Sequence, residues 1–364
     1  MLWAGCLSGF GAPVAAPVPL PDRGPTVDEI RAAADKGIPK AQFELGMKYL
    51  NGQDVPEDFK AGSQWITKAA EAGYVEAQYF LGLVNENSNH ADSLKWYRQA
   101  GEQGHVKAQS KLGDFYTEGK LVGANAAEAA RWHKLAAQGG NAHSQFILGT
   151  LHEYGVGMEQ SYTEAAEWYR QAAEKGDAGA QVNLGNLYLS GQGVKQNLFE
   201  AFKCYKQAGF QKSPLAYVKL GLCYERGYGV GQDYREAALW YQRGAQVREK
   251  TCLAALGRFH EEGLGMRRNV EEAAKYYLQA AEQGEPFAQL SLGTLYRKGQ
   301  GVRQDNVSAY VWLSLAARQG LGAQVRELLA QGMTPEQIAA AEKRLAELPP
   351  SLTAPPSVTS TRSP

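Results

Sequence analysis

Gly191-Gln192-Gly193-Val194 is a glycine-rich loop of the kind that can hold a phosphate in nucleotide-binding proteins. Such a loop needs a strand before it and a helix after it, so that backbone N–H groups point at the anion. Here the preceding residues could equally form a helix, and glycines also end helices. The elements around the loop must therefore decide what it does.

Other residue types could support metal or nucleophilic chemistry. His152-Glu153 and His260-Glu261 begin like a zinc-binding helix, but no second histidine follows at the required spacing. The sequence contains no Gly-x-Ser-x-Gly elbow and no Cys-x-x-Cys pair. We therefore expect no metal and no cofactor.

The composition excludes some classes of partner. The 38 basic and 38 acidic residues give a formal net charge of +0, which does not favour nucleic acid. No apolar run of membrane-spanning length occurs, so no integral membrane span is expected. Ten of the 15 prolines crowd the two ends, which predicts extended or disordered flanks at 1–26 and 349–364 around a folded middle.

The N-terminal segment MLWAGCLSGFGAPVAAP resembles the second half of a secretory signal. A basic n-region is missing, because the first positive side chain is Arg23, and a translation start further upstream would supply it. The stretch LWAGC also resembles a lipoprotein box ending at Cys6, with Trp3 at an unusual place. We predict export to the cell envelope, with a periplasmic location; the alternative is a cytoplasmic protein with a flexible tail.

Self-similarity at a fixed period dominates the middle of the chain. Leu-Gly pairs recur from Leu45-Gly46 to Leu292-Gly293 at steps of 36 residues, with one step of 31. Six of the seven tryptophans occupy one column. The period predicts a solenoid over 27–348 that consists of a leading half-unit and eight repeats, near 41–76, 77–107, 108–143, 144–179, 180–215, 216–251, 252–287 and 288–323.

Each repeat is predicted to form two helices. Ala180, Leu184 and Tyr188 make one apolar stripe on the first helix, which ends at Gly191. A column of N-cap residues starts the second helix, and six repeats have an acidic residue three positions later, which predicts a repeated capping box. These columns are Asp58, Asn89, Asn125, Ser161, Asn197, Asp233, Asn269 and Asp305, and Asp92, Glu128, Glu164, Glu200, Glu236 and Glu272. The glycine-rich loop is thus an interhelical turn, and nucleotide binding is not expected there.

The consensus A-x-x-x-L-G-x-x-Y-x-x-G-x-G-V…D/N…A-x-x-W-Y-x-x-A-A-x-x-G resembles the Sel1-like repeat, a relative of the tetratricopeptide repeat. The resemblance covers 27–348 and implies an all-α, right-handed α-solenoid with a concave inner surface. It also implies a C-terminal capping helix at 334–348, where Thr334, Pro335 and Gln337 match a helix start. Proteins of this family are usually adaptors rather than enzymes.

Several positions depart from the consensus. The second repeat lacks the Gly-x-Gly-Val loop, Lys212 and Arg248 replace glycines that close other repeats, and Cys204 takes the tryptophan place. Cys204 and Cys223 lie on adjacent helices, so a disulfide stays open, although thiols that fill small core spaces are favoured.

Three positions of the first helix vary freely and lie on one side of it: one before the Leu, one after the Gly and five after the Gly. We call the surface that they form the variable face, and we expect it to line the concave surface of the solenoid and to bind the partner there. Its later half is the more basic, which predicts an acidic peptide, a C-terminal carboxylate or an anionic glycan as ligand; the alternative is a solvated helix face. The predicted binding residues are Asn183, Asn186, Lys219, Leu222, Arg226, Arg258, Thr294 and Lys298.

The sequence therefore predicts a non-enzymatic protein-binding scaffold or adaptor, which we expect to be a monomer. Two alternatives stay open. One is an envelope hydrolase acting on peptidoglycan or a β-lactam, which a pair of carboxylates with raised pKa in a cleft would favour. The other is a structural lipoprotein that assembles a surface polymer.

Overall fold

The computed structural model describes residues 24–119 and 123–349, together with residue 352. Every regular element within those ranges is an α-helix, 19 in all, and the predicted all-α repeat solenoid is confirmed. The signal-like segment with Cys6 and nearly all of the predicted C-terminal tail lie outside the described residues.

The helices alternate between the two types that the repeats predict. A leading helix, α1 (Val27–Asp35), precedes them, and α18 (Ala323–Gln331) and α19 (Pro335–Glu347) follow them. The first helices are α2 (Pro39–Asn51), α4 (Val75–Asn85), α6 (Val106–Glu118), α8 (Ala142–Tyr154), α10 (Ala178–Ser190), α12 (Pro214–Arg226), α14 (Lys250–Glu262) and α16 (Pro286–Lys298). The second helices are α3 (Phe59–Glu71), α5 (His90–Glu102), α7 (Ala126–Gln138), α9 (Tyr162–Glu174), α11 (Leu198–Phe210), α13 (Tyr234–Gln246), α15 (Val270–Ala281) and α17 (Asn306–Arg318).

The chain divides within α6 into two compact units, residues 1–108 and 109–364. In the second unit each helix from α7 to α17 packs against its neighbour in sequence. The first helices also contact one another, α8 with α10, α12 with α14 and α14 with α16. These contacts are local, as expected for a repeat array, and they place these first helices side by side as a layer.

The Leu-Gly column marks the closest approach of the two helices in a repeat. The buried ring of Tyr205, from α11, lies directly on Gly185 of α10. A Cβ added at Gly185 would stand 2.6 Å from Cε1 of that ring, which is closer than real side chains approach. The glycine is therefore required for packing.

The glycine-rich loop that opened the sequence analysis is an interhelical turn. Gly191 ends α10 in the left-handed conformation, with φ 77°. Gly193 has φ 66°, and a Cβ there would overlap the backbone of Tyr162 at the start of the preceding second helix. The loop therefore docks one repeat onto the one before it, as a helix–turn–helix connection.

The predicted N-caps are confirmed, but the repeated capping box is wrong. Asn197 accepts a hydrogen bond from the Glu200 backbone N–H at 3.2 Å, whereas the Glu200 carboxylate pairs with Lys203 instead. The Asn197 backbone N–H, which a box would need, already donates to the Tyr188 carbonyl at 2.9 Å. Equivalent bonds recur in the other full-length repeats and tie each second helix to the last turn of its partner. Among the described helices, α1 and α19 alone have complete boxes.

The irregular junctions keep the left-handed backbone conformation of the glycines that they lack, at a smaller φ. Lys212 and Arg248 have φ 63° and 59°, whereas the closing glycines of other repeats, such as Gly176, have φ near 90°. A left-handed conformation costs an L-residue about 1–2 kcal/mol. Packing of the flanking helices therefore imposes this turn even where the residue type disfavours it.

The array ends with the predicted capping helix. Thr334 and Gln337 form a complete capping box, and Pro335 is the first residue of α19. Ala341 and Leu345 of this helix pack against α17. They cover an apolar surface that a further repeat would otherwise bury.

We predict that Gly185→Ala destabilises the chain by about 1–3 kcal/mol, the usual cost of overpacking a core contact. The added methyl group would meet the Tyr205 ring at 2.6 Å. A shift of the urea unfolding midpoint to lower concentration, followed by circular dichroism, checks this.

The matched control is Gly231→Ala, because a Cβ at Gly231 meets nothing within 4 Å. Its midpoint should not fall. Equal losses in the two variants would contradict the assignment of the helix approach to Gly185.

Candidate partner-binding face

The structure places the predicted binding residues along the layer of first helices in the second unit. Asn183 and Asn186 lie on α10, Lys219, Leu222 and Arg226 on α12, Arg258 on α14, and Thr294 and Lys298 on α16. The positions in the middle of each helix are half-buried, and those near its C-terminus are exposed. The variable face is thus a surface with a partly desolvated centre and a solvated edge.

Arg258 is engaged within the chain rather than free. Its guanidinium lies 2.8 Å from Glu225 Oε1 on α12 and 3.6 Å from Glu262 Oε2 on its own helix. The Glu225 side chain is 14% exposed, so this pair is shielded from solvent far more than an ordinary surface ion pair. Arg258 therefore links two neighbouring repeats, and the face is less basic than its own three columns indicate.

Glu225 belongs to a column that the sequence analysis did not single out. In four repeats, a buried tyrosine of the second helix donates a hydrogen bond to an acidic residue at this position. Tyr241 donates to Glu225 Oε2 at 2.9 Å, and Tyr277 donates to Glu261 Oε2 at 2.8 Å. Burial raises the pKa of both tyrosines, so the hydroxyls stay protonated and remain donors.

Both predicted asparagines belong to the same kind of network. Asn186 accepts a hydrogen bond from Tyr205 at 2.9 Å, and Asn183 donates to the Tyr169 hydroxyl at 3.1 Å. Thr294 donates to the Leu290 carbonyl of its own helix at 2.9 Å. These three side chains already have intrachain partners, so they shape the face.

Lys219 differs from its neighbours. Its side chain is half-buried near the middle of α12, and in the described part of the chain no carboxylate lies within ion-pair distance of its ammonium group. Burial lowers the pKa of Lys219 from its ordinary value. Arg226 and Lys298 are exposed. The side chain of Arg226 interacts with that of Tyr228, which raises the pKa of Arg226. Among the predicted cations of the variable face, Lys219 is thus the partly buried one whose charge no neighbouring carboxylate balances.

A second polar cluster, also missed by the sequence analysis, joins α6, α7 and α8. Asp114 Oδ1 lies 3.0 Å from His143 Nε2 and 3.8 Å from His133 Nε2. His133 is fully buried, and its Nδ1 lies 3.3 Å from the Ser144 hydroxyl oxygen. Burial lowers the pKa of His133 to about 4, whereas the hydrogen bond that His143 donates to Asp114 raises the pKa of His143. The only sequence signal was His133 in a column otherwise rich in tyrosine.

Within residues 24–119 and 123–349, the carboxylates with raised pKa do not form the pair that a hydrolase would need. Burial raises the pKa of both Glu153 and Glu285. Glu153, on α8, accepts a hydrogen bond from Tyr169 at 2.5 Å. Glu285 caps α16, four repeats away, by accepting a hydrogen bond from the Ala288 backbone N–H. Each therefore has a structural partner of its own.

The cysteines outside the N-terminal segment are buried free thiols. Cys204 and Cys223 form no disulfide, so the favoured interpretation of them as core-filling residues agrees with the structure. Burial raises the pKa of Cys204 to about 11 and that of Cys223 to about 12, which leaves little thiolate near neutral pH.

The helix pairs, interhelical turns and capping helix define an all-α repeat protein. The Sel1 repeat model matches residues 39–74, 75–105, 106–141, 142–177, 178–209, 214–246, 251–285 and 286–321. The chain therefore belongs to the Sel1 repeat family. Sel1 repeats are protein-interaction modules and typically form non-enzymatic scaffolds.

Two solved bacterial structures are similar to this chain. A Sel1 repeat protein from Oxalobacter formigenes is 29% identical, with a TM-score of 0.67, over 85% of this chain and 91% of that chain. A protective antigen of uropathogenic Escherichia coli with an SLR fold is 24% identical, with a TM-score of 0.53, over 89% of this chain and 94% of that chain. No curated protein matches. None of the described helices is both long enough and apolar enough to cross a bilayer.

We predict that acid destabilises the chain through His133. Its folded-state pKa of about 4 lies below its ordinary value, so the unfolded chain binds more protons as pH falls through this range. The loss should total about 3 kcal/mol between pH 7 and pH 4. Urea midpoints measured across this range check it.

His133→Tyr supplies the comparison, because tyrosine fills this column in most other repeats. This variant should lose the His133 contribution and leave the opposing contribution of His143. An identical pH dependence of wild type and variant would contradict the assignment.

Proposed function

We propose that this chain is a non-enzymatic scaffold that binds an acidic segment of a protein partner on its variable face, with Lys219 at the centre of the site. The observation that carries the proposal is a half-buried ammonium group without an acidic neighbour. Membership of a family of protein-interaction modules supports the same class of function.

Desolvation explains why this lysine favours a carboxylate. A charge that has lost water is destabilised unless an opposite charge or a hydrogen-bond acceptor replaces that water. The other half-buried cation of the face, Arg258, has such partners in Glu225 and Glu262. Lys219 has none among the described residues, so an incoming carboxylate would supply the missing partner.

The geometry favours an extended acidic segment over a single carboxylate. Lys219 and Arg226 are seven residues apart on α12, which places them about 10 Å apart along the helix axis. Lys298 adds an exposed positive charge on α16. A peptide with acidic residues several positions apart would contact the buried cation and a cation at the edge together.

We predict that Lys219→Met weakens capture of the partner at least about tenfold, since charge-assisted hydrogen bonds to a desolvated group contribute roughly 1.5–3 kcal/mol. Methionine keeps most of the side-chain volume and removes the charge. The measurement is a crosslinked pull-down from the native cell, with the captured protein quantified by mass spectrometry.

The matched control is Arg235→Glu, an exposed charge reversal on the second helix of the same repeat. It should leave the yield unchanged. Equal yields from wild type and Lys219→Met, with both chains folded, would rule out Lys219 as the anchor. Equal losses in both variants would indicate attraction to overall charge instead of a site.

We further propose that the protein acts in the cell envelope, on the basis of the apolar segment at its N-terminus. A tagged chain expressed in its native cell should then fractionate with the periplasm, or with the membrane if Cys6 carries lipid. Recovery with cytoplasmic marker enzymes would contradict export. A Cys6→Ser variant that stays membrane-bound would contradict lipidation.

A further inference from the structure

The tryptophan column shows what normally fills the space beside each second helix. Trp240, on α13, is 7% exposed. Its six-membered ring lies over Gly209 of α11, and its indole packs on Tyr217 of α12 with ring centroids 6.0 Å apart. The indole thus fills the space between the second helix of one repeat and the helices of the next.

The preceding repeat lacks that indole. Cys204 takes the tryptophan place, and the residues equivalent to Gly209 and Tyr217, one repeat earlier, are Ala173 and Gln181. Cys204, Ala173 and Gln181 all line one open groove of about 510 Å³ among α9, α10 and α11. The groove therefore lies where the indole would pack.

A second departure from the repeat pattern borders the same groove. Phe210, at the C-terminus of α11, lines it and is 70% exposed. In every other repeat this column holds a polar or charged residue: Glu71, Glu102, Gln138, Glu174, Gln246, Glu282 and Arg318. An apolar ring replaces polar side chains at the one repeat in which the tryptophan place holds no aromatic residue. Two independent substitutions thus act on the same groove: Cys204 leaves it open, and Phe210 makes its edge more apolar.

Charge around the groove cancels. Arg170 and Lys203 line it together with Glu174 and Glu200. Lys203 pairs with Glu200, and Arg170 pairs with Glu167 on its own helix. The rim therefore offers no net charge to a ligand, which favours an uncharged apolar group over an anion or a cation.

We propose that this groove binds an aromatic side chain, a tryptophan above all, from a peptide segment of a partner protein. The partner's indole would take the place that Trp240 occupies in the next repeat, with the Phe210 ring covering it from the side. This site is separate from the variable face, so it gives the scaffold a second point of attachment.

The test is a titration of the full chain with N-acetyl-Ala-Trp-Ala-amide, followed by NMR of the Leu184 methyl groups and the Ala173 amide, both of which line the groove. We expect saturable shifts with a Kd of about 1 mM, which is typical of a ligand this small. N-acetyl-Ala-Ala-Ala-amide should produce none. Failure of the tryptophan peptide to saturate would overturn the proposal.

Three variants locate the site. Cys204→Trp restores the residue found in six repeats, fills the groove and should abolish the shifts. Phe210→Gln restores the polar column and should weaken binding by about 3–10-fold, the usual contribution of an aromatic contact. Phe199→Glu is the matched control, because Phe199 is 62% exposed on the same helix but does not line the groove.

Binding to Phe199→Glu should equal binding to wild type. Unchanged binding to folded Cys204→Trp would overturn the proposal, and if that variant does not fold, unchanged binding to Phe210→Gln would do so. Sedimentation velocity tests whether a second copy of the chain occupies the groove instead of a partner. A wild-type dimer that Cys204→Trp converts to a monomer would assign the groove to a second copy of the chain and overturn its assignment to a partner.

Discussion

The repeat depends on one contact, in which a side chain of the second helix, in most repeats a tyrosine ring, rests on the glycine of the first helix. At Gly185 and Gly257 the rings of Tyr205 and Tyr277 occupy the space where a Cβ would stand, so the two helices approach as closely as their backbones allow. Each tyrosine then extends beyond the core, and its hydroxyl bonds a side chain of the first helix, such as Glu261. The contact that packs the core therefore also holds the polar network beneath the variable face.

Much of this architecture can be predicted from the sequence because the same residue types recur at equivalent positions of successive repeats. Helix ends, N-caps and the turn at Gly191 are local features, and their recurrence makes them unambiguous, since the N-cap column is present in eight repeats and the turn glycine in seven. The prediction of a repeated capping box was wrong for a reason that the local sequence pattern does not contain. The Asn197 backbone N–H donates to Tyr188, nine residues earlier, and only the folded path of the loop brings these groups together.

The candidate site was harder to predict because its contacts join different columns. Comparison of equivalent positions identified Arg258 as a basic residue of the variable face but gave no indication that Glu225, from another column and the preceding repeat, neutralises it. Asp114 and His143 also lie in unrelated columns, and the structure brings them together. A lysine without a partner can be recognised only when all the residues around it are known, so Lys219 stood out from the other cations only in the structure.

The docking of each glycine-rich loop on the preceding repeat has a consequence for how such an array changes in length. Gly229 rests on the backbone of Leu198 just as Gly193 rests on that of Tyr162. The start of each of these second helices therefore presents the same contact surface to the loop of the following repeat. Recombination that removes or duplicates one whole 36-residue period rejoins matching surfaces, and the one shorter step, of 31 residues, occurs where the loop itself is missing. The gene can therefore gain or lose units while the groove at Cys204 and the cation at Lys219, each confined to its own repeat and its neighbours, persist unchanged.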